Sequence, residues 1–413
     1  MTRLLIIGYV WPEPDSSAAG SRMMQLIALF LQQHWQITFA SPAADSEYMI
    51  DLASLGIEKV NIEVNNSEFD QFLQECQPDI VVFDRFMMEE QFAWRVSNVC
   101  PGAMKVLESS DLHSLRYARQ QAYKDNRPAG LQDYHSDVAK REIASILRCD
   151  MTLVISTWEV EHLKNIYRID ATLLHYIPFI LDTEQTKKTA ALLPPFSQRE
   201  HYIFIGNFFH EPNWDAVLHL KNNIWPALQK KLKGVCLNIY GAYTPAKARQ
   251  LHNPAQGFHI MGRAESVEKV MSESRVCLAP LQFGAGIKGK LLDAMRCGTP
   301  SVTTTIGAEA MCGEMPWNGF VEDDNDRFIE AAVTLYQQES VWWQSQKNGF
   351  DIIDEHYNKE KFAPVLIEKM LMVKNHLEQH RLNNFTGAML SHHSMKSTQY
   401  MSRWIEAKNK LKQ

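Results

Sequence analysis

The chain has 413 residues, 45% hydrophobic and 22% charged, with a formal net charge of −6 and a pI of about 6.2. That length exceeds one ordinary domain and predicts two. The acidic balance argues against a nucleic-acid binder. Seven cysteines scattered without a C-x-x-C pair argue against a zinc site and fit a reducing compartment.

RLLIIGY (3–9) reads as a buried first strand. Pro12 and Pro14 cut it off after an apolar run at the bottom of the range for a signal-peptide core and well short of the ~18 residues a membrane span needs. SRMMQLIALFLQQ (21–33) is the expected helix after it, with Ser21 as N-cap. Strands follow at 36–41, 59–64, 79–84, 105–109 and 151–156, most of them separated by helical stretches near 67–76, 88–99, 113–124, 135–148 and 157–167. Apolar strands alternating with amphipathic helices predict a parallel sheet covered on both faces.

The pattern breaks at 179–200, where prolines flank a polar middle, and a linker is expected there. Alternation restarts with strands at 201–206, 235–241, 258–262, 275–281 and 300–305 and helices at 212–231, 266–274 and 287–297. Helices at 325–338, 340–356 and 359–377 complete the second half. The expected fold is α/β, two doubly wound, Rossmann-like domains (1–178 and 201–358) facing across a cleft, with ligands at the carboxyl ends of the strands.

FGAGIKGKLLDAMRCGTPSVTT (283–304) carries the most specific chemistry. Backbone N–H groups at a helix start, freed by Gly284 and Gly286, attract phosphate, and Lys288 and Lys290 add positive charge. The bland alternative is a surface loop with solvated lysines and an i, i+3 pair between Lys290 and Asp293. Gly284 to Lys290 also fits the P-loop pattern G-x-x-x-x-G-K, but Leu291 stands where a Ser or Thr must hold magnesium. A third reading is a nucleotide-sugar diphosphate site. Lysines and helix-start amides would meet the charge on the leaving diphosphate without a metal. Asp293, one turn along, would accept hydrogen bonds from ribose hydroxyls.

F-G-A-G-I-K-G-K-L-L-D-A-M-x-x-G-x-P-x-V resembles the donor-binding signature of retaining GT-B glycosyltransferases, family 4. F-I-G-N207 at the second domain's start, I-Y-G241, and the opening strand with Gly8 are similar to that family too. The resemblance covers about residues 1 to 375. It implies a first domain for the acceptor and a second for the donor. A helix at 359–377 would cross back to the first domain. Hexosyl transfer would proceed with retention, without a required metal and without a cofactor beyond the nucleoside-diphosphate sugar. A carbohydrate or lipid-linked glycan would be the acceptor, in surface-polysaccharide assembly. The setting would be cytoplasmic, at most peripheral at the inner membrane face.

The family's two glutamates, separated by seven residues, fall on Ala285 and Asp293. Ala285 motivates an alternative, a catalytically impaired nucleotide-sugar-binding subunit. A P-loop-like nucleotide hydrolase and a nucleotide-sugar epimerase are the others.

Further positions follow from strand ends. The resemblance implies a histidine near the reacting sugar, and His113 is the candidate, with Asp111 or Glu108 beside it. The opposing reading has Ser110 or Asp111 capping helix 113–124. Arg116 and Arg119 on the same helix read as solvated charges or, alternatively, as phosphate contacts. In the long loop 10–22, Gly20 and Arg22 are acceptor-side candidates. The resemblance implies Gly206, Asn207 and Arg263 on the donor side; Glu309, at another strand end, reads as a donor-side contact to sugar hydroxyls or as a surface glutamate, and Glu159 as part of a helix cap.

The tail 378–413 lies beyond the resemblance. From residue 376 on, the chain holds six Lys/Arg against two Glu, with Phe385, Met389, Met395, Tyr400, Met401 and Trp404 interleaved. Two readings stand: a docking segment for a membrane surface or partner, and a C-terminal helix packed on the domains. The adjacent His392 and His393 would diverge on a helix and suggest no metal site.

Overall fold

The computed structural model describes residues 1–411, except the side chains of 393–395. The side chains of His393 and Met395, and the whole of Lys412, therefore lie outside the description.

Thirteen strands form two parallel sheets among the described residues. The first holds β1 (Arg3–Ile7), β2 (Gln36–Ser41), β3 (Glu58–Asn61), β4 (Ile80–Asp84), β5 (Met104–Glu108), β6 (Met151–Val154) and β7 (Leu174–Tyr176), in the order β3-β2-β1-β4-β5-β6-β7. The second holds β8 (Glu200–Ile205), β9 (Leu237–Tyr240), β10 (Phe258–Gly262), β11 (Ser274–Ala279), β12 (Ser301–Thr303) and β13 (Gly319–Val321), in the order β10-β9-β8-β11-β12-β13. Strand order reverses between β1 and β4 and again between β8 and β11. Crevices open at the carboxyl ends of strands at such points. The chain segments leaving β1, β8 and β11 therefore frame the cleft.

Leu4 and Ile6 enter one apolar cluster of the first domain, Leu5 and Ile7 the other, as the two-residue strand period requires. Ala363, Leu366, Ile367 and Met370 of the helix Lys359–Asn375 join the first cluster, so this helix crosses back from the second domain. Burying each such leucine or isoleucine contributes about 1.5–3 kcal/mol.

Several boundaries differ from the sequence reading. The first helix starts at Ala18, with Ser17 as its N-cap accepting from the Gly20 amide. Ser21 lies inside that helix and donates instead to the Pro14 carbonyl at 2.7 Å. The helix expected over 212–231 is interrupted: Glu211–His219 passes through a π turn, Leu220–Ile224, into Trp225–Lys231. Pro226, which has no N–H and clashes with the turn before it, accounts for the break. The segment 179–200 holds a helix, Thr183–Ala190. The tail forms a long helix, Phe385–Lys410, on the helices Phe86–Val99 and Asp137–Arg148.

One buried ion pair stitches the first domain beneath the cleft. Arg22 Nε lies 2.6 Å from Glu108 Oε1, Nη2 lies 3.1 Å from Oε2, and Nη1 donates to the Pro178 carbonyl at 2.9 Å. Both side chains are almost fully buried. Arg22→Ala would strand the Glu108 carboxylate without a counter-charge and is expected to cost about 3–5 kcal/mol. Urea denaturation followed by circular dichroism checks this, and an unchanged midpoint contradicts it.

Candidate active site

The segment after β11 turns back at Gly286, whose φ of +63° suits glycine. A β-carbon there would lie 2.8 Å from Asp111 Cβ, and one on Gly289 would lie 2.5 Å from Ala18 Cβ. The glycines thus let the second domain's loop press against two loops of the first. Three polar ties hold it there. The Gly286 amide donates to Glu159 Oε1 at 2.9 Å. The Gly284 carbonyl accepts from Arg119 Nη1 at 2.8 Å. Arg119 also forks onto Glu309 at 2.9 and 2.7 Å, with its guanidinium 4.5 Å from the Trp158 ring centroid.

Lys288 lies inside this contact, and Lys290 is half-buried against residues of the second domain. Lys288, 8% exposed, caps the helix Gly289–Arg296, and its ammonium donates to the Gly286 carbonyl at 2.8 Å. Burial pushes its pKa down to about 8, against the pull of the Glu309 carboxylate. Lys290 donates to Asn213 Oδ1 and sits 5.1 Å from the Phe204 ring centroid. Burial pushes it, too, down to about 8. Neither ammonium is in an ion pair among the described residues. The Lys290–Asp293 pair of the bland reading does not form. Asp293 pairs with Arg296 at 3.3 Å, and its side chain stays 36% exposed.

Gly206 and Asn207 act on this cradle through a residue the sequence reading missed. A β-carbon on Gly206 would lie 2.7 Å from Asn213 Nδ2, which donates to the Asn207 carbonyl at 2.9 Å while Oδ1 accepts from Lys290. Pro212-Asn213 just past a strand end was the available signal.

Glu159 is the other missed residue. It is 0% exposed, and Oε1 accepts from both the Leu112 and the Gly286 amides at 2.9 Å, while Oε2 is buried without a partner. Ser156 caps this helix and accepts from the Glu159 amide, as expected of a cap, but the glutamate side chain reaches forward, across the cleft. Burial and the Asp111 charge push its pKa up to about 8, so it is protonated at neutral pH. Ala285 beside it packs on the apolar cluster of the first domain.

His113 opens its helix with Nε2 3.5 Å from Asp111 Oδ1 and its ring edge-on to Phe86. Burial pushes its pKa down to about 4, so the imidazole is neutral at pH 7. The helix start is capped neither by Ser110 nor by Asp111. Glu142 from another helix accepts from the His113 and Ser114 amides at 3.0 and 2.9 Å. Arg116 and Arg119 are not free solvated charges: Arg116 pairs with Asp111 at 2.9 Å, and Arg119 makes the cross-domain fork.

The structure therefore gathers Gly284, Gly286, Lys288, Lys290, Glu309, Asp111 and His113 at one interdomain contact. Arg22 is not presented to the cleft, because all three of its nitrogens bond within the first domain. Gly20 makes room for the loop's own backbone: a β-carbon would lie 2.3 Å from the Glu13 carbonyl oxygen. Arg263 stands elsewhere on the rim, 3.9 Å from Asp15 and 4.5 Å from the Tyr48 ring centroid. Beside Tyr48, Tyr243 donates to the Glu13 carboxylate at 2.8 Å.

Residues 199–338 match the family model described as Glycosyl transferases group 1. Sucrose-phosphate synthase from Thermosynechococcus elongatus superposes with a TM-score of 0.68 at 14% identity, over 90% of this chain and 99% of that one. HepE from Anabaena, solved in complex with UDP and glucose, gives 0.64 at 12% identity over 90% and 99%. WaaG, a glycosyltransferase involved in lipopolysaccharide biosynthesis, gives 0.57 at 13% identity over 88% and 99%. An uncharacterized 44.6 kDa protein in the cps region of Klebsiella pneumoniae is 24% identical over 168 residues, 38% of this chain and 43% of that protein. Residues 199–338 are thus similar to the glycosyl transferases group 1 family, and the whole chain shares the two-domain GT-B fold of these solved structures.

Proposed function

We propose that this chain is a retaining glycosyltransferase that moves a hexosyl group from a nucleoside-diphosphate sugar to a carbohydrate or lipid-linked glycan in surface-polysaccharide assembly. The carrying observation is two lysines, Lys288 buried and Lys290 half-buried, at a glycine-rich helix start with no carboxylate of their own. A desolvated, unpaired charge is costly and is offset by an anion that enters the same space. HepE, bound to UDP and glucose, supports a diphosphate in that role, and the cps-region relative supports the pathway class.

In this reading Lys288, Lys290 and the amides around Gly284, Gly286 and Gly289 receive the diphosphate. Asp293, still open to solvent, accepts from ribose hydroxyls. The acceptor oxygen attacks the anomeric carbon on the face the diphosphate leaves. The bond from that carbon to the phosphate oxygen breaks, and the acceptor's proton passes to the departing oxygen. The lysines stabilise the charge that develops there, in place of a metal. Neutral His113 exchanges hydrogen bonds with the sugar. Glu159 places a carboxyl next to Ala285, supplying from the first domain the group that position 285 lacks. Its bond to the Gly286 amide is released when the diphosphate takes that amide, so donor entry parts the domains locally.

Thermal shift and calorimetry across nucleoside diphosphates and their sugars test the assignment. At least one is expected to bind, and Lys288→Ala is expected to weaken it by about 1.5–3 kcal/mol, roughly ten- to hundredfold. Equal affinity in the variant removes the site. NMR of the glycoside product is expected to show retained anomeric configuration, and inversion contradicts the mechanism.

The pH dependence is fixed by the same groups. Both lysines titrate near 8 rather than at the ordinary ~10.4, and the anion binds their protonated forms. Affinity for the best-binding nucleoside diphosphate is expected to be full below pH 8 and to fall as pH rises through it. At pH 9 the loss is up to about tenfold per lysine. Affinity that is constant from pH 7 to 9 contradicts the assignment.

A further inference from the structure

The helix Phe385–Lys410 is fastened to the first domain by one side only. Ser402 Oγ accepts from Arg95 at 3.3 Å, and Glu406 accepts from Ser67 at 2.6 Å and lies 4.0 Å from Arg95. At the helix start, Asn384 donates to the Leu147 carbonyl at 2.7 Å. These contacts fix the rotation of the helix. At 100° per residue, Met389, Tyr400, Met401 and Trp404 fall within roughly 60° of the outward direction. Tyr400 is 64% and Trp404 59% exposed; Phe385 stands open at the helix start and Leu411 just past its end.

Charge is segregated in the same sense. The helix's only carboxylate, Glu406, faces inward. Lys408 lies on that face and Lys396 and Arg403 along its edge; all three are exposed and in no ion pair among the described residues, with the Lys408 ammonium 5.0 Å from the Trp404 ring centroid. An outward face of aromatics and cations without an acid thus stands on a chain whose net charge is −6. Among the described residues, no helix is long and apolar enough to cross a membrane.

We propose that this face binds an anionic lipid bilayer, with the helix lying in the plane of the interface. Tyr400 and Trp404 sit at headgroup level, and Lys396, Arg403 and Lys408 meet lipid phosphates. A second copy of the chain is the poorer occupant, because two such faces oppose cation to cation. The binding itself does not depend on the reaction proposed above. If that reaction holds, the helix brings the acceptor-side domain to the surface where a lipid-linked acceptor resides.

Sedimentation of the full chain with vesicles tests this, using equal parts phosphatidylglycerol and phosphatidylcholine against phosphatidylcholine alone. The chain is expected to pellet with the anionic vesicles only, and to be released by high salt. The double variant Tyr400→Ser, Trp404→Ser and the separate Lys396→Gln, Arg403→Gln pair are each expected to lower the bound fraction about tenfold, with unchanged thermal melts. Failure of the wild-type chain to pellet, or equal pelleting of the variants, overturns the proposal. So does self-association that the Trp404 substitution abolishes in a chain that ignores vesicles.

Discussion

Two lysines stand at the helix start that meets the opposite domain, Lys288 buried and Lys290 half-buried, and the arrangement around them follows from that constraint. An ammonium in such a place keeps its charge only if dipoles or an anion stand close. Here the protein supplies carbonyl and amide oxygens, from Gly286 and Asn213, but no carboxylate in direct contact. The result is two cations still protonated at neutral pH yet shifted toward losing their protons. That state favours whatever anion restores their full charge. Glycines at 286 and 289 matter because they let the helix start meet the opposite domain with no side chain between.

The first domain supplies more than a wall. Glu159, Arg119 and Asp111 all bond or pack against the segment that runs from Gly284 to Gly289. Glu159 is neutral at pH 7 because burial outweighs its two amide donors, so it adds a hydrogen-bonding group without adding negative charge beside the phosphate site. Arg119 neutralises Glu309, which otherwise would stand as an unscreened anion near Lys288. The same contacts that close the cleft therefore also keep its potential positive.

The sequence made the second-domain loop legible because its chemistry is local: Gly284 through Asp293 are neighbours in the chain and lie on one turn and one helix. The alternation of strands and helices was legible for the same reason. What escaped was long-range. Glu159 lies 127 residues from Gly286, Arg119 lies 190 from Glu309, and Asn213 lies 77 from Lys290. No periodicity reports such pairs. β7 and β13, three residues each, are too short to show a strand period. Ser17 and Ser21 are one turn apart and carry the same capping group, so the sequence alone did not separate them. The tail helix turns Gly387, Ser402 and Glu406 inward and Met389, Tyr400, Met401 and Trp404 outward. Its composition therefore suggested a surface while concealing how the helix is seated.

A crystal structure of the chain with the nucleoside diphosphate it binds most tightly tests the central claim most directly. The account places the terminal phosphate within hydrogen-bond distance of both Lys288 Nζ and Lys290 Nζ, with the Gly286 amide turned from Glu159 to a phosphate oxygen. A diphosphate bound elsewhere, with Lys288 still on the Gly286 carbonyl and Lys290 still on Asn213, would contradict it.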